Sequence, residues 1–327
     1  MFNKNSGPFS QKKAGRFINN FVNQRVRRTI KDFVRWKRGK YKEDIILSCP
    51  TDFKYPSDNK TFDDKKDYAT WIGHDTFLIK SHNVHILTDP IFYNSCSPIS
   101  VIGPKRKEKP AIDIENLPKI DYITISHDHY DHLDKKSVKM LSKKFPNAKF
   151  IVPLGIKKWL NRRGIKNVVE LDWLHTYEDD NIKVTATPAQ HYSGRGLFDG
   201  NLRLWCGFVI QNKINNKKIY FTGDTGYNNR HFKLIKKLFN EIDLSLIPIG
   251  TYVPREFMLP VHIDPVNAIK IHKDVNSKLS IAMHWKTFKL SEEDINLPPY
   301  ELFVNLQKEN IDHNTFLAID PGTYINF

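Results

Sequence analysis

Four potential metal ligands, His127, His129, Asp131 and His132, fall within six residues in the pattern H-x-H-x-D-H. The apolar run Tyr122-Ile123-Thr124-Ile125 directly precedes them. In an extended chain residues i and i+2 point to the same side, so His127 and His129 can grip one ion together. Asp131 and His132 come where the chain must turn, with Asp134 placed to cap the helix that follows. They can face a second ion close by. A solvated loop commonly carries one or two histidines, not three with an interleaved aspartate at the end of a strand.

Such a site needs further donors from other strand ends, and three positions qualify. His191 follows Val184-Thr185-Ala186-Thr187-Pro188-Ala189-Gln190, Asp224 follows Ile219-Tyr220-Phe221-Thr222-Gly223, and His284 follows Leu279-Ser280-Ile281-Ala282-Met283. Each is the first strong donor after an apolar run. Gly223 and Gly226 flank Asp224 and allow close backbone approach. The chain has thirteen histidines, and this scheme uses five of them as ligands. His82, His85, His175, His231, His272 and His313 have no strand-end partner and read as surface or packing residues, and His74 reads as structural. Asp89 reads either as an acceptor for a ligand imidazole or as a plain turn carboxylate before Pro90.

The elements that must position these residues are short β-prone runs alternating with helical patterns. Strands are predicted over Thr76–Lys80, Val84–Thr88, Tyr122–Ser126, Lys149–Val152, Asn181–Thr187, Lys218–Thr222, Asp243–Ile249 and Ser280–His284. Helices are predicted over Lys135–Lys144, Ile156–Arg163, Arg230–Phe239, Pro265–Lys273 and Pro299–Glu309. That alternation predicts a layered α/β body.

The 327 residues suffice to bury a sizeable core. Apolar residues at 40% exclude a disordered polyelectrolyte. Three scattered cysteines, Cys49, Cys96 and Cys206, exclude a disulfide scaffold and a thiolate zinc finger, and fit a reducing compartment. No apolar run approaches a membrane span, and no apolar segment of a secretory signal follows the basic N-terminus. The net charge of +15 is uneven: residues 1–43 hold thirteen Lys+Arg against Asp32 and Glu43, or +11. Within that arm Ile18, Val22, Val26, Ile30 and Phe33 recur every three or four residues, widened by Phe17, Phe21, Val34 and Trp36. This spacing predicts an amphipathic basic helix over residues 14–38, stopped by Gly39. Arg25, Arg27, Arg28, Lys31, Arg35, Lys37 and Arg38 fill its other faces. An anionic membrane surface, packing on the body or on a second subunit, and RNA are the three readings of that arm. Its many apolar residues favour the first over nucleic acid. Residues 43–67 are polar and contain Pro50 and Pro56, which suits a linker or surface strap.

The order H-x-H-x-D-H at 127–132, His191, Gly223-Asp224-Thr225-Gly226 and His284 resembles the metallo-β-lactamase superfamily. Further motifs are similar to its branch of N-acyl-phosphatidylethanolamine-hydrolysing phospholipases D. They are Thr70-Trp71-Ile72-Gly73-His74, Leu87-Thr88-Asp89-Pro90-Ile91-Phe92, Gly103-Pro104-Lys105-Arg106, Thr187-Pro188-Ala189-Gln190-His191, Pro248-Ile249-Gly250, Pro254-Arg255 and Ala282-Met283-His284-Trp285. The resemblance runs over residues 68–327 and implies a four-layer αβ/βα sandwich, with residues 1–67 as a basic helical arm and linker. It implies two zinc ions, one on His127, His129 and His191, the other on Asp131, His132 and His284, with Asp224 bridging. Iron or manganese suits the same all-N/O donor set. It further implies catalytic roles for Asp131, Asp224 and His262. His262 lies either near the substrate phosphate or, on its residues alone, in a helix cap; Val261 stands before it where the family has a polar residue.

The implied reaction is phosphodiester hydrolysis of phospholipase D type. A water shared by two ions, its pKa lowered toward ~7, attacks phosphorus and releases N-acylethanolamine and phosphatidic acid. Implied partners are a phospholipid substrate, an anionic membrane surface met through residues 14–38, and a second copy in a homodimer. The expected location is cytoplasmic and peripheral to a membrane. Competing expectations are a hydrolase of a soluble lactone or phosphoester on the same fold, and an RNA-processing nuclease. The nuclease is disfavoured by a nearly neutral body (38 Lys+Arg and 34 acids beyond residue 43) and by the lack of a glycine-rich clamping insertion. A non-catalytic membrane adaptor is disfavoured because structural zinc sites are closed and thiolate-rich.

Overall fold

The computed structural model describes residues 9–22, 26, 29–41, 43, 48–56, 62–98 and 103–327. Seven strands form each of two sheets. In the first sheet Tyr68–Gly73, Thr76–Ser81, Val84–Thr88, Tyr122–Thr124, Lys149–Pro153 and Val168–Leu171 lie side by side in chain order. The C-terminal strand Tyr324–Asn326 closes its near edge against Tyr68–Gly73. The second sheet runs, again in chain order, through Thr176–Glu178, Ile182–Thr187, Gly207–Asn212, Lys218–Phe221, Ile242–Pro248, Ser277–Met283 and Phe316–Leu317. Each sheet begins with antiparallel pairs and ends with parallel ones.

Side-chain alternation explains the layering. Phe77, Ile79, Ile86 and Ile151 join the core between the sheets, where they meet Val184, Phe208, Ile210 and Phe221. Their neighbours Leu78, Leu87, Phe150 and Val152 face the opposite way, onto Val138 and Leu141 of helix Lys135–Lys144 and Ile156 and Leu160 of helix Ile156–Asn161. On the far side, helices Asn229–Phe239, Pro265–Asp274 and Leu297–Lys308 set Phe232, Ile235, Ile269 and Leu302 into the core of the second sheet. The result is the expected four-layer sandwich, with inter-sheet alternation of period two as its cause. The expected strands and helices fall at their places to within a few residues. Strands at Tyr68–Gly73, Gly207–Asn212 and the sheet edges add to them.

The N-terminal arm corrects the sequence reading. A helix covers Ile30–Lys37 and not residues 14–38. It starts at a capping box, in which Thr29 Oγ1 accepts from Asp32 N–H at 3.1 Å and Asp32 Oδ2 accepts from Thr29 N–H at 2.8 Å. Gly39, at φ +75°, follows its end as expected. Upstream, Gln11–Lys13 and Arg16–Ile18 form a hairpin whose two turn residues, Ala14 and Gly15, both have positive φ (50° and 75°). Phe17 drives this: its side chain is buried in the main hydrophobic core, and its backbone exchanges hydrogen bonds with Asn201. Arg25, Arg27 and Arg28 lie outside the described residues. Farther on, the strap is tied down by Glu43 to Arg255 at 3.0 Å and by Tyr55 Oη to Phe316 O.

Candidate metal centre

The seven sequence-nominated ligands meet at one rim between the sheets. His127–His132 leave the strand Tyr122–Thr124, His191 follows Ile182–Thr187, Asp224 follows Lys218–Phe221, and His284 follows Ser277–Met283. Asp134 caps the helix after the first cluster, accepting from Ser137 N–H at 2.8 Å. Gly223 is obligatory there: at φ +57°, an added Cβ would lie 2.6 Å from Ser126 Cβ. Gly250 is equally constrained, since its Cβ would lie 2.2 Å from His284 O. His74, Asp89, Thr251 and His284 all adopt positive φ (55°, 28°, 69° and 61°), so backbone strain gathers at this rim.

Two groups of donor atoms form. In the first, His129 Nδ1 lies 2.9 Å from His127 Nε2 and 3.2 Å from His191 Nε2. In the second, Asp131 Oδ2 lies 3.4 Å from His132 Nε2, 3.6 Å from His284 Nε2 and 3.0 Å from His74 Nε2. Asp224 stands between them. Its Oδ2 is 3.6 Å from His191 Nε2 and 3.2 Å from His132 Nε2, and its Oδ1 is 3.2 Å from His284 Nε2.

Groups behind the imidazoles decide which nitrogen faces inward. His191 Nδ1–H can only donate to Val261 O, at 2.8 Å, which leaves a lone pair on Nε2. His132 Nδ1 is 2.7 Å from Asp89 Oδ2, and Ser126 Oγ, bonded to the same carboxylate, sits 2.9 Å from His127 Nδ1. Asp89 therefore orients two rings, the acceptor alternative of the sequence reading. With Nδ1 committed, His132 Nε2 faces two carboxylates, a position that calls for either a proton or a cation between them. Buried His132 Nε2, His284 Nε2 and Asp224 Oδ1 have no hydrogen-bond partner. Such an arrangement is stable only around positive charge, and the donor set fits divalent cations of nitrogen and oxygen preference.

The charge balance of the protein alone points the same way. Burial holds His127 far below its ordinary range, His129 at about 4 and His191 at about 3, so these rings are neutral donors at pH 7. Burial also opposes a proton on His284, but Asp224 and Asp75 outweigh it and hold His284 at about 10. His132 is raised likewise, Asp224 and Asp131 overcoming burial. Both carboxylates are held well below their usual range despite burial, Asp131 chiefly by His132 and Asp224 by His284 and His132.

A cavity of about 580 Å³ opens onto this cluster. His129, Asp131, Asp224 and His262 form its polar floor, and Phe33, Trp36, Phe257, Met258 and Leu290 supply apolar walls. His262 points at the cluster, with Nδ1 3.7 Å from Asp224 Oδ2.

Several contributors escape the sequence reading. His74 touches Asp131 directly. As the first donor after the strand Tyr68–Gly73, it obeys the strand-end rule that finds His284. Asp128 pairs with Arg203 at 2.5 Å, and Arg195 donates to the carbonyls of Asp128 and Leu133 at 2.7 Å, so two arginines brace the ligand loop. Asp75 lies 3.6 Å from His132 Nδ1, and burial raises it to about 8. Cys96 and Cys206 are buried and all three cysteines are free.

Residues 84–285 match the beta-lactamase superfamily domain, and the chain belongs to that superfamily. The solved metallo hydrolase Igni18 of Ignicoccus hospitalis shares the fold, with a TM-score of 0.59 at 20% identity over 80% of this chain and 98% of that one. Within the superfamily the chain is 39% identical over 266 residues to N-acyl-phosphatidylethanolamine-hydrolyzing phospholipase D 1 of Caenorhabditis elegans, covering 78% of this chain and 74% of the relative. It is 38% identical over 231 residues to the mitochondrial N-acyl-phosphatidylethanolamine-hydrolyzing phospholipase D of Saccharomyces cerevisiae, covering 69% of this chain and about half (49%) of that protein. The chain is a metal-dependent hydrolase of this superfamily.

Proposed function

We propose that the protein is a metal-dependent phosphodiesterase of phospholipase D type, cleaving N-acyl-phosphatidylethanolamine into phosphatidic acid and an N-acylethanolamine. One observation carries the reading: a single cavity whose floor is the His/Asp cluster and whose walls are Phe33, Trp36, Phe257, Met258 and Leu290. An amphiphilic phosphodiester presents that same division of polar centre and apolar body. The similarity to two N-acyl-phosphatidylethanolamine-hydrolysing relatives supports it.

His127, His129 and His191 would hold one ion and Asp131, His132 and His284 the other, with Asp224 between. Two divalent ions, zinc or an equivalent, supply an activated water and neutralise charge on phosphoryl oxygens. The chain's own residues do the rest. Asp224 and Asp131 remain ionised and can take the proton of the attacking water. The water oxygen bonds to phosphorus as the bond from phosphorus to the head-group oxygen breaks. Burial holds His262, on the cavity floor, at about 3, so its neutral ring offers an N–H hydrogen bond to charge developing on the oxygen that leaves, and the proton taken up by the carboxylate passes to that oxygen. Phe33 and Trp36, with the neighbouring walls, exclude bulk water and hold the apolar chains.

The same reading gives the arm a role at an anionic bilayer. Phe17 and Val26 are buried and serve packing, Trp36 stacks on Phe257 in the cavity wall, and Phe33 and Val34 stay exposed beside Lys31, Lys37 and Arg38. Homodimerisation and a peripheral membrane location belong to this proposal. No described helix is long and apolar enough to cross a membrane.

The test is hydrolysis by metal-loaded protein of vesicles containing N-acyl-phosphatidylethanolamine. Release of phosphatidic acid and N-acylethanolamine in equal amounts is expected. Absence of phosphatidic acid, with rapid turnover of a lactone or soluble phosphodiester, would overturn the substrate assignment.

A further inference from the structure

The backbone of His191 is held by a side chain of the N-terminal arm. His191 lies in the irregular stretch between Ile182–Thr187 and Gly207–Asn212, where no neighbouring strand pairs with its backbone. It is nevertheless fully buried, so its N–H and C=O need partners. Both come from one side chain in the N-terminal arm. Asn19 Oδ1 accepts from His191 N–H at 3.0 Å, and Asn19 Nδ2 donates to His191 O at 2.8 Å. The carboxamide thus mimics the paired bonds of a sheet ladder, across 172 positions of sequence.

The clamp is itself anchored. Phe17 is buried to 2% exposure, and its N–H donates to Asn201 O at 2.8 Å. Asn201 Nδ2 donates to Phe17 O at 3.1 Å while Asn201 Oδ1 accepts from Ser193 N–H at 3.2 Å. Arg16 adds a bond to Phe198 O at 2.9 Å. Two asparagine amides therefore stitch residues 17–19 of the arm to residues 191–193. The ring of His191 is turned by Val261 O, while its backbone is held between the arm on one side and Gln190, bonded to Thr225 and Gly226, on the other.

We infer that Asn19 is a positioning residue of the metal centre, and that the N-terminal arm completes the site of His127, His129 and His191. The inference rests on the reading of those three histidines as ligands. Asn19 touches no reacting atom; it acts through His191. Groups that orient a metal-bound histidine typically change metal affinity ~10–100-fold when removed.

The experiment measures metal affinity, not turnover. Full-length wild type, Asn19→Ala and Asn19→Asp are stripped, then titrated with Zn2+ against a chromophoric chelator and with Co2+ by visible absorption. Wild type is expected to bind two equivalents. Asn19→Ala is expected to bind one of them about tenfold or more weakly, with an altered Co2+ spectrum for that site alone. Asn19→Asp keeps the acceptor for His191 N–H but loses the donor, so it should fall between the two. Combining Asn19→Ala with His191→Ala should add nothing to the loss caused by His191→Ala. Wild-type affinity and spectrum for both equivalents in Asn19→Ala and Asn19→Asp would overturn the clamp while leaving the metal reading intact. Failure of the wild type itself to bind a divalent ion would overturn both.

Discussion

His262 separates metal binding from catalysis more cleanly than any other residue. It lines the cavity, belongs to neither trio of histidine-rich donors, and faces Asp224 at 3.7 Å. His262→Ala is expected to keep its metal content while the rate falls ~10²–10³-fold, the usual range for a lost hydrogen-bond donor to charge developing in the transition state. Paired metal analysis and rate measurements check this; an unchanged rate would remove His262 from the chemistry. His231 makes a different point. It is buried against Trp173 and Phe21, both ring nitrogens lack partners, and burial holds it at about 3 against 6.5 when unfolded. The unfolded chain therefore binds the extra proton between those values, and stability falls as pH drops below 6.5. His231→Phe is expected to lose about 2 kcal/mol less than wild type between pH 6.5 and 5, by urea midpoints of the stripped protein. Equal pH slopes would contradict it. At this scale the sequence was most legible where a donor ends an apolar run, as at His127, His191, Asp224 and His284. It was least legible for Asn19, which carries no metal-binding signal of its own, and for Asp128, a carboxylate within the cluster that pairs instead with the distant Arg203.

Between strands and loops, fit at a few backbone crossings sets the ligand positions. Gly223 shows it: a Cβ there would strike Ser126, which with Asp89 aligns His127 and His132, and Asp224 is the next residue. Gly223→Ala is expected to drop metal content below one ion per chain. Gly164→Ala is the control, since Gly164 shares a positive φ (85°) but has nothing within 4 Å. It should cost only roughly 1 kcal/mol of strain and leave metal content unchanged. Equal metal content in both variants would show that Gly223 acts through conformation alone. The arm marks where pattern reading fails. Phe17, Ile18, Phe21 and Val22 recur at helical intervals, yet aromatic and β-branched residues also suit extended chain. The Ala14–Gly15 turn and the burial of Phe17 settle the competition in favour of a hairpin. Period alone does not carry that tertiary information.

Across the whole molecule, two sheets with the same pairing pattern deliver their strand ends to a common rim, and each half contributes side chains to both groups of donor atoms. The half-to-half likeness left no repeat in the sequence, because strand pairing constrains backbone and alternation far more than residue identity. Charge adds a second long-range feature, with +11 of the +15 in residues 1–43. Binding to anionic vesicles is therefore expected to fall steeply as salt rises from 0.1 M to 1 M, where the screening length shortens from ~10 Å to ~3 Å. Salt-independent binding in a sedimentation assay would assign the contact to apolar side chains instead. The central claim is that seven side chains from both halves hold two ions on either side of Asp224. Anomalous diffraction at the absorption edge of the metal retained by crystals of the full chain tests it directly. The expected result is two peaks, one among His127, His129 and His191 and one among Asp131, His132 and His284, both touching Asp224. A single peak, or peaks out of reach of Asp224, would contradict it.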